Sequence, residues 1–139
     1  MGPVRELRVA VTAEDYEEAL RFYRDALGLP VIESWENEGG SGAILDAGRA
    51  TLELSDPAHA DYIDEVEVGK RVAGHIRIAF EIEDADEATT RLASAGATVL
   101  AEPTPTPWGS RNSRLEGPAG LQLTLFEEPP DGSTERITA

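Results

Sequence analysis

The sequence predicts an α+β fold of two βαβββ modules, and three observations predict it. First, Arg8-Val9-Ala10-Val11-Thr12-Ala13-Glu14-Asp15 reappears as Arg77-Ile78-Ala79-Phe80-Glu81-Ile82-Glu83-Asp84. Each copy is a strand-like run that ends in an acidic residue and opens a helix. Second, each helix stops at a glycine, Gly28 in the first half and Gly96 in the second. Third, strand-like runs follow each helix. A duplicated half-domain implies a pseudo-symmetric fold with a site shared between the halves.

The elements follow in order. Leu7, Val9 and Val11 alternate with Arg8, Ala10 and Thr12, the pattern of a half-buried strand. Thr12-x-x-Asp15 resembles a capping box with Asp in place of Glu. Tyr16, Ala19, Leu20, Tyr23 and Leu27 then recur at helical spacing and give one apolar face. Residues 30–37, 41–46 and 50–55 read as three further strands, separated by turns at Gly39-Gly40 and Ala47-Gly48. Residues 57–73 read as a polar, acidic linker after Asp56.

The second module repeats the order. Residues 75–82 form a strand with Ile76, Ile78, Phe80 and Ile82 on one face. Asp84-x-x-Glu87 caps a helix to about Ala95, with Ala88, Leu92 and Ala95 as its buried stripe. Strands follow near 98–102, 110–115 and 121–127, the last with Leu121, Leu123 and Leu125 on one side. The chain is expected to be one domain: module one at about 6–56, module two at about 74–128 and a loose tail at 129–139.

Composition excludes several functions. The chain has no cysteine, which rules out disulfides, thiolate metal sites and a cysteine nucleophile. A net charge of −15 argues against binding a phosphate backbone. No apolar run reaches the ~20 residues of a membrane helix, and the first residues lack the apolar stretch of a signal peptide. A cytoplasmic protein that binds neither nucleic acid nor membrane is expected. Neither Gly-x-Gly-x-x-Gly nor a phosphate-loop Lys is present.

The pleat sets which side chains meet. If the leucines and isoleucines cover the helices, the alternate positions face the opposite, concave side. Those positions hold Arg8, Ala10, Glu53, Ser55, His75, Arg77, Ala79, Gln122 and Thr124. Two Arg, a Glu and a His on one concave surface must pair or bind something.

Residues 6–127 resemble the vicinal oxygen chelate superfamily, which includes glyoxalase I, extradiol dioxygenases and bleomycin-resistance proteins. The resemblance rests on Asp15-Tyr16-Glu17-Glu18-Ala19-Leu20-Arg21-Phe22-Tyr23-Arg24-Asp25-Ala26-Leu27-Gly28 and Ala50-Thr51-Leu52-Glu53-Leu54. Phe80-Glu81-Ile82-Glu83-Asp84 and Gly117-Pro118-Ala119-Gly120-Leu121-Gln122-Leu123 carry it in the second half. It implies a cupped mixed sheet around a ligand cavity, and a homodimer.

Metal-dependent members of that superfamily place one ligand on the first and last strand of each module. Carried over, those positions are Arg8, Glu53, Arg77 and Thr124. Only Glu53 is a competent ligand, because a guanidinium stays protonated and has no lone pair to give. His75, two residues before Arg77 on the same strand face, adds at most a second ligand. No metal and no cofactor is therefore expected.

In the metal-free resistance branch, ligands stack on aromatic rings, and Trp35 and Trp108 are the two tryptophans available. Each reads equally as ordinary packing at a strand end. The Pro103–Pro107 run reads as an extended lip or a rigid connection. The expected function is metal-independent binding of an aromatic or oxygen-rich small molecule, similar to antibiotic sequestration. Arg8, Glu53, His75, Arg77, Trp35, Trp108 and Thr124 would line the site. The alternative is a glyoxalase-like lyase or isomerase, with or without a divalent metal, in which Glu53 is the general base and an Arg stabilises the enolate.

Overall fold

The structure is a computed structural model that describes residues 8–9, 11–37, 40–50, 53 and 56–129. The first helix, α1, spans Tyr16–Leu20 and continues as a π-helical segment over Arg21–Ala26. Its cap is Asp15, whose Oδ1 accepts the Glu18 N–H at 3.0 Å, so the helix starts one turn later than a Thr12 cap would place it. Leu27 N–H bonds Phe22 C=O at 2.9 Å, the i→i−5 bond of a π turn. That wider turn brings Phe22 in beside Tyr23, and both are buried, whereas Tyr16, Leu20 and Leu27 are only half-buried. Gly28, at φ +92°, ends the segment.

Strands β1 (Val31–Asn37) and β2 (Gly40–Leu45) pair as an antiparallel hairpin. All seven residues of β1 are exposed. The strand expected at 7–12 is not formed at residues 8, 9, 11 and 12; positions 7 and 10 lie outside the described residues. Of the run expected at 50–55, only residues 50 and 53 are described, and neither is in a strand.

The acidic linker is not a loop. Pro57–Glu67 forms helix α2, capped by the Asp56 carboxylate, which accepts the His59 N–H at 2.9 Å. Pro57 occupies the first turn, where a missing N–H costs nothing. No helix among the described residues is long and apolar enough to cross a membrane.

Residues 78–127 run β-α-β-β-β: β3 (Ile78–Glu81), α3 (Ala85–Ser94), β4 (Thr98–Pro105), β5 (Arg111–Gly117) and β6 (Leu121–Glu127). They form a mixed sheet in the order β3-β6-β5-β4, in which only β3 and β6 are parallel. β3 is shorter than expected, and Ile76 is left exposed before it. The Pro103–Pro105 stretch, expected to be a loop, belongs to β4. This is an edge strand, where a missing N–H is tolerated. Asp84 caps α3 through Glu87 N–H at 3.1 Å, while the Glu87 side chain pairs with Arg91.

One face of this sheet packs on the helices. Leu92, Leu115, Leu123 and Leu125 are fully buried, joined by Ala88, Phe22 and Tyr23. Ala95, expected in the stripe of α3, is exposed; Ala85 and Thr89 are buried instead. Tyr23 ties the first helix to this core, because its hydroxyl donates to Pro118 C=O at 2.8 Å. Gly117 makes room for it: a Cβ there would stand 2.8 Å from the Tyr23 hydroxyl and 3.2 Å from Leu123 Cδ1.

Candidate functional site

The other face of the sheet is polar, and α2 covers it. Cross-strand register aligns Ala79 with Thr124 and Thr124 with Arg114. Strand alternation adds Asn112, Gln122 and Arg77 to the same side. Ser113 and Leu115 point the opposite way, and Ser113 meets Thr89 of α3 at 2.7 Å. Opposite the polar face, Asp64 and Glu67 project from α2 three residues apart, the spacing that stacks side chains on one helix surface.

Arg114 organises the contact, and its side chain is fully buried. Nη1 donates to Asp64 Oδ1 at 2.8 Å and to Gln122 Oε1 at 2.7 Å. Nη2 donates to Glu67 Oε1 at 2.8 Å, and Nε to Thr124 Oγ1 at 3.1 Å. The remaining carboxylate oxygens are also satisfied. Asp64 Oδ2 accepts the N–H groups of Val72 and Ala73 at 2.8 Å each, and Glu67 Oε2 accepts from Asn112 Nδ2 at 2.7 Å. Arg77 joins from β3's approach, donating from Nη1 to Thr124 Oγ1 at 2.6 Å. Two largely buried guanidiniums thus face two buried carboxylates, and the more exposed Arg71 approaches Asp64 Oδ2 at 3.8 Å.

The electrostatics follow from this wiring. Burial opposes the Asp64 charge, but the hydrogen bonds from Ala73, Arg114 and Val72 outweigh it and hold the carboxyl below its ordinary value. The Arg77 guanidinium is pushed down by burial and by the neighbouring Arg114 charge; Glu67, Glu53 and Asp64 act the other way.

The polar network extends into the turn before β5. Ser110 Oγ donates to Asn112 Oδ1 at 2.7 Å and lies 3.0 Å from Thr106 Oγ1. That turn carries Trp108. Its ring centroid lies 6.1 Å from that of Tyr62 on α2, and Tyr62 in turn stacks with His59 at 6.1 Å. The Trp108 indole N–H is buried and has no acceptor among the described residues.

The residues singled out from sequence are distributed as follows. Arg77 and Thr124 meet directly, and Trp108 flanks α2. Glu53 is exposed, and its charge favours the Arg77 guanidinium. Arg8 and His75 are exposed. Trp35 lies on β1 with its ring over Gly42, its cross-strand partner, where a side chain would collide with the indole.

Arg114, Asn112, Asp64 and Glu67 escaped the sequence reading. Arg114 and Asn112 lie on an interior strand of the second module, away from the family's first-strand and last-strand positions, and Asp64 and Glu67 lie in a run whose acidity reads as a polar linker. One signal was present: Asn112, Arg114 and Glu116 alternate with Ser113 and Leu115, placing an Arg on the polar side of an interior strand.

A βαβββ unit with a polar, Arg-bearing sheet face turned away from α3 and covered by α2 defines the class, a mixed α+β protein. The chain belongs to the Glyoxalase/Bleomycin resistance protein/Dioxygenase superfamily, whose profile matches residues 7–132. It is 26% identical over 127 residues to the Bacillus subtilis (strain 168) protein YraH, covering 87% of this chain and 96% of that one. A superfamily member from Sphaerobacter thermophilus DSM 20745 superposes with a TM-score of 0.54 at 26% identity, covering 85% of this chain and 92% of that one. TnmS3, an antibiotic binding protein from Streptomyces sp. CB03234, has the same fold. It matches with a TM-score of 0.56 at 23% identity, over 86% of this chain and 91% of that one.

Proposed function

We propose that this chain binds an oxygen-rich or aromatic small molecule on the polar face of its C-terminal sheet, without a metal, in the manner of an antibiotic-sequestering protein. The observation that carries this reading is the meeting of Arg77 and Thr124 beside Arg114. These two residues hold the first-strand and last-strand positions where metal-dependent relatives carry ligands. A guanidinium cannot coordinate a cation and repels it, but it presents a planar fork to a carboxylate, carbonyl or phenolate. Among the described residues, no group of three or more His, Asp or Glu is arranged to hold a metal ion. Trp108 supplies an aromatic surface and a buried N–H in need of an acceptor.

The reading includes a homodimer. Val31, Ile32 and Trp35 on β1 are 40%, 64% and 46% exposed, and Ile76 is 65% exposed. β1 is exposed along its whole length, whereas β2 is half-buried from Gly42 to Leu45, so a second copy covering the exposed apolar side chains of β1 is the economical arrangement. Native mass spectrometry tests mass and metal together: a dimer without a stoichiometric ion is expected, and one equivalent of zinc, nickel, iron or manganese per chain overturns the metal-free reading.

Binding is tested by tryptophan fluorescence against a panel of aromatic antibiotics and small oxo-acids, repeated with Trp35→Phe and Trp108→Phe. Saturable quenching that vanishes in one mutant and survives in the other is expected. Arg77→Met should weaken binding by about 1.5–3 kcal/mol, the range for a hydrogen bond to a charged group. A panel that binds Arg77→Met and Arg114→Met as tightly as the parent would place the site elsewhere.

A further inference from the structure

We propose that α2 is a built-in occupant of the cup, and that a small molecule carrying two carboxylates displaces Asp64 and Glu67 from the Arg114 cradle. This rests on the reading that the polar sheet face is the ligand site, and it names the ligand class.

Charge more than apolar packing holds α2 down. Of its eleven residues, the buried ones are Ile63, Asp64 and Glu67, one apolar and two acidic. A helix docked by its hydrophobic face would show the opposite proportion. Here the attachment is a set of charge-assisted hydrogen bonds from Arg114 and Asn112. Such bonds can be remade with any oxyanion of similar placement, whereas apolar packing is specific to its shape.

The cradle also dictates what can replace the helix. With α2 lifted away, Arg114 and Arg77 face an open cup and retain only neutral acceptors, Gln122 and Thr124. Two adjacent cations in a partly dry site are costly. A neutral molecule leaves that cost in place. A dicarboxylate removes it, giving one carboxylate to Arg114 Nη1 and the other to Nη2 and Asn112, as Asp64 and Glu67 do now.

The segment after α2 is tied to the helix through Asp64. Val72 and Ala73 are anchored to Asp64 Oδ2, and Gly69 turns the chain at φ +92°. Moving Asp64 therefore frees the N–H groups of Val72 and Ala73, while Gln122 Nε2, which donates to Val72 C=O at 3.1 Å, keeps one tie from the segment to β6. The Tyr62–Trp108 contact opens in the same step, exposing the aromatic surface and its unpaired N–H to a ligand.

The test is hydrogen exchange on the full chain, with and without succinate, glutarate or phthalate. Acetate at matched ionic strength is the control. Faster exchange across residues 62–68 with a dicarboxylate, and no change with acetate, is the expected result. In Asp64→Asn/Glu67→Gln the internal competitor is weakened, so dicarboxylate affinity should rise by about tenfold or more, because the open form is more populated. Should that variant fail to fold, the wild-type exchange experiment decides alone. The proposal is overturned if none of the three dicarboxylates accelerates exchange in α2. Trp108 quenching by neutral aromatics with α2 exchange unchanged would leave the binding reading standing and remove this one. Loss of all binding would remove both.

Discussion

Arg114 and Thr124 face each other across β5 and β6, and both side chains are completely buried. The single Thr124 oxygen accepts from Arg114 at 3.1 Å and from Arg77 at 2.6 Å. One hydroxyl therefore bridges two guanidiniums whose like charges still act on each other. Thr124→Val keeps the branched shape and removes that acceptor from both. The expected loss is about 1–3 kcal/mol, the cost of leaving buried donors unsatisfied. Urea unfolding measures it, and an unchanged midpoint would mean that water replaces the hydroxyl.

Glu67 and Glu53 should behave differently on truncation. Glu67 is buried between Arg114 and Asn112, so Glu67→Ala removes one of the two carboxylates on a buried guanidinium, leaves Asn112 Nδ2 unpaired and should cost about 3–5 kcal/mol. Glu53 is exposed, and Glu53→Ala should stay within about 0.5 kcal/mol. The paired melting curves place the structural carboxylate on α2; equal losses would put Glu53 back in the cavity.

Acid should loosen α2 before it unfolds the core. The Asp64 carboxyl is held below its ordinary value of 3.8 in the folded protein. Its contribution is therefore fully present above that value and is lost as pH falls below it, through the folded-state titration. Stability followed from pH 6 to pH 2, on the order of the range a carboxylate titration needs, should fall less steeply in Asp64→Asn than in the parent. Parallel curves would mean that other carboxylates set the acid limit.

The contact of Tyr23 with Gly117 and Pro118 gives a prediction at the alkaline end. Burial pushes the Tyr23 hydroxyl above its ordinary value of 10.0. Its stabilisation is complete below that pH and is lost as pH rises beyond it. Tyr23→Phe should remove that alkaline dependence and cost about 0.5–1.5 kcal/mol for the bond to Pro118. Gly117→Ala should cost about 1–3 kcal/mol by overpacking, and less on the Tyr23→Phe background, where the hydroxyl is gone. Additive losses would show that the clash falls on Leu123 instead.

The C-terminal half was legible because its elements are strongly periodic and locally capped. β6 coincides with its expected bounds, and Asp84 and Gly96 mark the ends of α3. The polar face was half legible. Strand alternation pointed to Arg77 and Thr124, since both lie where the pleat faces away from the helix. Asp64 and Glu67 were not legible. An acidic run reads as solvated until a buried cation opposite is known, and Arg114 lies 50 residues further along the chain from Asp64. The π turn that buries Phe22 beside Tyr23 leaves no mark in apolar spacing read at an α-helical period.

The contrast between the exposed β1–β2 hairpin and the buried β5–β6 pair bears on how the molecule comes apart. Leu115, Leu123 and Leu125 are sealed, whereas every residue of β1 meets water. β1 is therefore expected to open at a fraction of the global unfolding free energy, with Leu45 of β2 packed against the core. The two tryptophans fall on opposite sides of that division, Trp35 on β1 and Trp108 beside β5. Each acts as a local thermometer, so a melt of the single chain read through one indole will not superimpose on a melt read through the other.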